Sequence, residues 1–499
     1  MKSRLESISK NHALKGDSMR QKAHVSPALR KKISARAPAS VVTENNVDRT
    51  PGTLDQLEWE EIFSEAEGIL RTLIQFQTVN PPGNERPAAH YLAELLRQEG
   101  LEPEIYEGAP TRTNLVCRLR GTGERPPLQL DGHLDVVPAD ESQWTHPPFA
   151  ADVADGYIWG RGALDMKQMV TMSLMCLFLS KRLGFRFKRD IIFTAVADEE
   201  VGGTYGAKYL IDNHADAIRA EYCLGEIGGF SLSAMGKNFY PVQVAEKGVC
   251  WFELIARGKA GHGSVLDPES SVIRLSEAIM KLARKTLPQH KTAVAEHLVK
   301  TVLATQPFPQ KKILPPLLLH PWLSNFLLDK VLSRKQFAAM LFAMLHNTAN
   351  PTKIRAGEKI NVIPSVAKAE IDGRFLLGQT KESFLAEVKD VVGPDLEINV
   401  LSELKPTMVD HEDPIMDLIA RVIQHHDPHA IALPVMISAT TNATHYSRLG
   451  TKYFGFSPVK FNSEDDFQSM FHGNNERIPV EGFHFGIKAL AELVEEICT

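Results

Sequence analysis

The run Ile191-Ile192-Phe193-Thr194-Ala195-Val196-Ala197 passes without a break into Asp198-Glu199-Glu200-Val201-Gly202-Gly203. An apolar run with no polar alternation reads as a strand buried on both faces, and such a strand needs a sheet with helices packed on it. Open α/β sheets collect their ligands at the carboxyl ends of strands. Three adjacent carboxylates at that position repel one another unless a cation is present or a proton is retained. A cation site and a plain acidic turn are both open at this point, but the fold class is narrowed to α/β.

The rest of the chain agrees with that class. Apolar spacing predicts helices over 59–76, 85–99 and 168–183, and short apolar segments predict strands over 114–119, 128–137 and 190–197. A second region opens at Glu246-Lys247-Gly248, with strands expected over 250–257, 367–375 and 396–401 and helices over 270–283 and 381–392. The pattern then returns to helices over 414–425 and 481–498. The expected organisation is a mobile basic leader (1–52), a catalytic α/β domain in two pieces (53–245 and 404–499), and an inserted smaller α+β domain (246–403).

Charge and cysteine usage exclude several classes. The net charge of the 499 residues is −5, which argues against a dedicated nucleic-acid binder. Residues 1–50 hold 11 Lys/Arg against 4 Asp/Glu, a net +7, so the remainder carries −12. That leader has no apolar core of signal-peptide type and reads as a solvated tail, with an organelle transit peptide as the alternative. Nothing reaches the ~18 apolar residues of a membrane span; the stretch 313–332 is broken by Pro315, Pro316, His320, Pro321 and Asp329 and reads as buried helix or interface. The five cysteines show no C-x-x-C spacing, so neither a disulfide framework nor a cysteine zinc site is expected, and the compartment reads as reducing and cytoplasmic.

Four further segments carry chemistry. Gly132-His133-Leu134-Asp135 sets an imidazole and a carboxylate two residues apart, the usual relation of a metal ligand to the carboxylate that orients it, or of a simple surface pair. Gly160-Arg161-Gly162-Ala163-Leu164-Asp165-Met166-Lys167 sets an Asp at the mouth of an apolar helix, where it could equally be an N-cap. Glu226 precedes Gly228-Gly229, and His472 lies in Phe471-His472-Gly473-Asn474-Asn475-Glu476 before the last helix; each alone is most simply a turn. Together the segments supply two imidazoles and enough carboxylates for two cations sharing one carboxylate.

In this order the motifs resemble the di-zinc metallopeptidase family of aminoacylase, acetylornithine deacetylase, succinyl-diaminopimelate desuccinylase and glutamate carboxypeptidase. The likeness spans about residues 57–499. Gly258-Lys259-Ala260-Gly261-His262-Gly263-Ser264, Lys359-Ile360-Asn361-Val362-Ile363-Pro364 and Asp372-Gly373-Arg374 resemble its lid, and Phe454-Gly455-Phe456-Ser457-Pro458 leans toward the aminoacylase and vacuolar-carboxypeptidase branch. The resemblance implies a zinc-exopeptidase-like domain, its mixed sheet flanked by helices, with an inserted lid and dimerisation domain. It implies two divalent ions, zinc first with cobalt or manganese as substitutes. His133 and Glu226 would hold one ion, Glu200 and His472 the other, and Asp165 would bridge them. Asp135 would orient His133, and Glu199 would be the general base for a hydroxide between the metals. His262 would stabilise the oxyanion, and Asn361 and Arg374 would contact the substrate. A homodimer that cleaves the amide bond of a small N-acyl amino acid or dipeptide follows, with no nucleic-acid or membrane partner.

The chain departs from that family in Thr440-Thr441-Asn442-Ala443-Thr444-His445-Tyr446, where Asn442 replaces an expected Asp and Thr444 an expected Arg. If that Arg clamps a substrate carboxylate, its loss removes about 2–3 kcal/mol, unless Arg448 or His445 compensates. An amide or carbamate without a free carboxylate is therefore the second substrate class, and a non-catalytic binding homologue the third reading. Gln168 and Leu377 are smaller departures. His425, His426 and His429 read as a solvated helix end.

Overall fold

The computed structural model describes residues 52–234, 236–320, 335–466 and 469–499. The leader before residue 52 and residues 321–332 of the 313–332 stretch lie outside them.

The main sheet is built outward from Ile191–Val196, whose residues are all buried. Leu128–His133, equally buried, runs parallel to it on one side, and Arg112–Leu119 antiparallel on the other. Tyr222–Gly225 lies parallel beside Leu128–His133, and Lys452–Gly455 parallel beside that. Pro103–Ala109, Lys237–Glu246, Ile431–Ile437, Leu232–Ala234 and Thr407–Met408 complete a mixed sheet of ten strands. Three neighbouring strands thus end side by side: His133 is the last residue of one, and Glu199 with Glu200, and Glu226, lie in the turns that leave the other two.

Helices enclose this sheet, and its inner strands are buried on both faces. Every residue from Lys167 to Ser180 is buried in the helix Lys167–Arg182, which packs against Trp59–Gln75 and the C-terminal helix Val480–Cys498. A helix apolar on all sides belongs in a core. Lys167 is carried inside by donating from Nζ to the carbonyls of Leu73 and Phe76, both at 2.9 Å.

A second sheet of four antiparallel strands comprises Thr348–Ala356, Val366–Phe375, Gly248–Arg257 and Glu397–Leu404, in that order. Burial alternates along Val366–Phe375, so one face takes the helices Ser271–Arg284 and Lys381–Val392. The helices Ala293–Ala304, Gln310–Leu318 and Lys335–Leu345 instead bury their apolar residues in the main core, although they lie between strands of the smaller sheet in sequence. Of Gln310–Leu318, which contains Pro315 and Pro316, only Leu318 is buried.

Two expectations are adjusted. The strand expected over 128–137 stops at His133, so Asp135 reaches the imidazole through a turn rather than along one strand face. Thr348–Ala356 went unpredicted because Pro351 sits within it; as an edge strand with a register shift between Pro351 and Lys353, it accommodates that residue.

Lys237–Glu246 and Gly248–Arg257 meet at Lys247, a buried residue that passes the chain from one sheet to the other. Its Nζ donates to the carbonyl of His346 at 2.6 Å, and burial, helped by Arg374, lowers its pKa to about 7 from 10.5. Between those values the unfolded chain binds a proton that the folded one does not, so stability rises with pH across that window and is lost as pH falls toward 7. Lys247→Met is expected to remove that rise, worth a few kcal/mol at about 1.4 kcal/mol per pKa unit. Urea unfolding of both proteins from pH 7 to 10 measures it; equal slopes refute the assignment.

Candidate metal centre

His133 is fully buried at the end of its strand. Nδ1 donates to the carbonyl of Asp135 at 2.9 Å, with Asp135 Oδ1 at 3.6 Å, which turns Nε2 toward the cluster. Nε2 lies 2.9 Å from Asp165 Oδ1, 3.6 Å from Glu226 Oε2 and 3.9 Å from Glu199 Oε2. The other Asp165 oxygen, Oδ2, lies 3.3 Å from His472 Nε2, which is itself 3.1 Å from Glu200 Oε2. Two donor groups result, His133/Asp165/Glu226 and Asp165/Glu200/His472, and they share Asp165.

Electrostatics at the cluster calls for cations. Burial, then Glu226, pushes the Glu199 pKa well above its ordinary value; burial, then Asp165, raises Glu200; burial brings Glu226 to about 7. Burial works against a charged His133, but Asp165 and Glu226 outweigh it and hold its pKa well up. Asp165 and Glu200 push His472 up to about 10. Among the described residues, ion pairs to the four carboxylates come from His133 and His472. Glu200 Oε1 and Glu226 Oε1 are buried with no hydrogen-bond partner, as ligand oxygens awaiting a cation would be. Imidazole nitrogens with carboxylate oxygens fit two divalent ions of zinc type.

Residues not singled out from sequence hold this cluster in place. Asp135 accepts from the backbone N–H of Glu199 (3.1 Å) and Glu200 (3.2 Å), and from Asn80 Nδ2 (2.7 Å). Arg112 pairs with both oxygens of Glu85 (2.8 and 2.9 Å) and with Asp198 (2.9 Å) behind it. Glu476 does the same for the other side. Its Oε1 accepts from the backbone N–H of Gly162, Leu164 and Asp165 at 2.7–3.1 Å, and its Oε2 takes Arg161 at 2.6 Å. Arg161 also donates to the carbonyl of Gly473, so one buried carboxylate couples the loop of Asp165 to the loop of His472. Gly225 lets Tyr453 approach: a Cβ there would stand 2.0 Å from the hydroxyl that receives the Glu226 N–H. Arg161 and Glu476 lie inside motifs already quoted; Asn80, Glu85 and Arg112 gave no local signal.

The lid residues stand apart from the cluster's hydrogen bonds. His262 is exposed in the ribbon Gly261–His262 with Val362–Ile363, its Nδ1 2.8 Å from Ser264 Oγ. Asn361 is exposed, and its carbonyl accepts from Gly263. Arg374 is held by Asp372 at 2.8 Å and donates to the carbonyl of Ser438. In the altered segment, Asn442 is buried and donates to Asp131 Oδ2 at 3.0 Å, and Thr444 donates to Glu246 Oε2 at 3.0 Å. Arg448 pairs with exposed-side Asp212, and His445 meets the carbonyl of Gly202.

Residues 130–496 match the model of "Peptidase family M20/M25/M40". The chain belongs to this family. It is similar to the N-fatty-acyl-amino acid synthase/hydrolase PM20D1 of Homo sapiens, 30% identical over 390 residues that cover 76% of each chain. It is also similar to Aminoacylase-1 of Sus scrofa, 26% identical over 86% of this chain and 95% of that one. In fold it resembles the M20 family metallo-carboxypeptidase Sso-CP2 of Sulfolobus solfataricus, with a TM-score of 0.65 at 17% identity, covering 86% of this chain and 98% of that one. The sequence-based resemblance and fold class hold, and the chain is a metal-dependent amidohydrolase.

Two substitutions test this architecture. Glu476→Gln swaps an acceptor for an amide that cannot serve three N–H groups and Arg161 together, and is expected to weaken metal retention about 10–100-fold; metal-buffered titration with elemental analysis reads this, and unchanged affinity counts against the clamp. Asn442→Asp sets a second carboxylate against Asp131, which already accepts from Thr194 and Tyr446 at 2.6 Å. A loss of roughly 3 kcal/mol is expected from the unpaired buried charge, larger at pH 8 than at pH 5, by denaturant unfolding.

Proposed function

We propose that this chain hydrolyses the amide bond of an N-acyl amino acid, releasing a carboxylic acid and the amino acid. The observation that carries the reading is the shared Asp165: one carboxylate whose two oxygens face two different imidazoles, each backed by a glutamate. His133 and Glu226 are assigned to one ion, Glu200 and His472 to the other, with Asp165 between. Two divalent ions held by these residues would supply Lewis-acid chemistry, polarising a carbonyl and making a water more acidic.

Glu199 then acts as the base. It takes the proton of the attacking water and later gives it to the departing nitrogen as the C–N bond breaks. Burial, then the charge of Glu226, raises its pKa above the ordinary carboxylate value, which strengthens it as a proton acceptor. Asp135 keeps the His133 ring turned and seats the backbone of Glu199 and Glu200. His262, on an exposed ribbon, is assigned to the oxyanion after lid closure, with Asn361 and Arg374 toward the substrate. The relatives' printed activities make fatty-acyl amino acids the first substrates to try. Pairing of two chains into a homodimer is part of this reading, checked by light scattering for twice 55.4 kDa; a cytoplasmic location rests on five free, buried cysteines.

Because Thr444, Arg448 and His445 are all bonded elsewhere, an amide lacking a free carboxylate is kept as the second substrate class. Glu199→Gln is expected to retain two metals per chain and lose turnover by about 10²–10⁴-fold. Wild-type turnover in that variant refutes the role of Glu199. Comparing each N-acyl amino acid with its carboxyl-blocked amide separates the two classes: a preference for the free acid supports the first, equal or better cleavage of the amide supports the second.

A further inference from the structure

The helix Pro414–His426 ends in two consecutive histidines that meet the C-terminal helix Val480–Cys498 at a single side chain, Glu492. His425 Nδ1 lies 2.9 Å from both Glu492 oxygens, and His426 Nε2 lies 2.7 Å from Oε2. Neighbouring residues on a helix point about 100° apart, so two adjacent imidazoles do not ordinarily face one point. Here they converge because one uses its near ring nitrogen and the other its far one.

We propose that His425, His426 and Glu492 form a third cation site, taking one divalent ion of zinc type and tying the two helices together. The donor set is that of zinc: two imidazole nitrogens and a carboxylate, with a fourth position left to water. The donor atoms all lie within 4.8 Å of one another. Zinc bonds of about 2.0–2.1 Å place tetrahedral donors about 3.3 Å apart, so each imidazole–carboxylate pair, now at 2.7–2.9 Å, opens by about half an ångström to take an ion. His426 and Glu492 are only 18% and 21% exposed, and the His426 ring stands edge-on to Phe485, which stacks on Tyr240. Two ligands are therefore positioned by packing before any ion arrives, while the exposed His425 is free to adjust.

The nearby cations are occupied elsewhere. Lys488, one turn before Glu492, has its ammonium over the rings of Trp59 and Phe63 at 5.1 and 5.2 Å. Lys460 pairs with Asp427 at 3.1 Å. Neither is paired with Glu492.

The test loads the full-length enzyme with two equivalents of zinc, removes the excess, and titrates zinc alone while following bound metal and the unfolding temperature. A third equivalent is expected, with a higher unfolding temperature in its presence. His425→Ala, a change at an exposed side chain that leaves the fold intact, and His426→Ala are each expected to weaken the third equivalent about tenfold or more. Both should keep two metals and full turnover. Binding that stops at two equivalents in the wild type, or a third equivalent that survives in both variants, overturns the site and leaves the trio as a charged helix end. Repeating the titration in Glu199→Gln separates this result from the catalytic assignment, since the third equivalent must persist there.

Discussion

Repulsion among Asp165, Glu199, Glu200 and Glu226 is the constraint to which the surrounding structure is fitted. Four buried carboxylates within reach of two imidazoles do not stay together without support. Two further carboxylates hold their backbones: Asp135 accepts from the N–H groups of Glu199 and Glu200, and Glu476, itself paired with Arg161, accepts from that of Asp165. Backbone strain sits at the same places: Asp198, Ile227 and His472 have φ of 71°, 58° and 56°, in the left-handed region that non-glycine residues avoid. Such conformations persist where neighbouring contacts leave no alternative, and the carboxylate clamps provide those contacts.

A second tier of buried acids is neutralised differently. Asp131 is satisfied by Asn442, Thr194 and Tyr446, and Glu246 by Gln243, Thr441 and Thr444, all uncharged donors. Burial raises the pKa of both carboxyls, Glu246 to about 7. The departures from the family pattern at Asn442 and Thr444 thus have a local reason: each side chain donates a hydrogen bond to a buried acid. An Asp at 442 would be an acceptor facing an acceptor. The segment that looked like altered substrate contact is also part of the support for the sheet.

The main sheet was legible because the run over 191–197 is almost wholly apolar and short apolar segments alternate with helical ones, and the helices because their apolar spacing is regular. The clustered side chains were legible because each lies in a short motif at the end of a strand or ahead of a helix. Asn80, Glu85 and Arg112 were not, since they act on Asp135 and Asp198 only after folding brings distant segments together. The grouping of 293–345 with the main core was hidden for a similar reason: an amphipathic helix announces an apolar stripe, not which sheet will cover it. Pro351 masked an edge strand. His425 and His426 looked like a helix end because Glu492, their shared partner, is 66 residues beyond the nearer one.

A continuous ribbon of backbone, Lys237–Glu246 followed by Gly248–Arg257, belongs to both sheets, with Lys247 as its junction. Immediately before the junction, Glu246 grips Thr441 and Thr444; just across it, Arg374 of the adjoining strand reaches the carbonyl of Ser438. Residues 438–444 are therefore held by the main sheet through Glu246 and by the smaller sheet through Arg374. A shift of the smaller sheet against the main one would be carried into the shape of that loop.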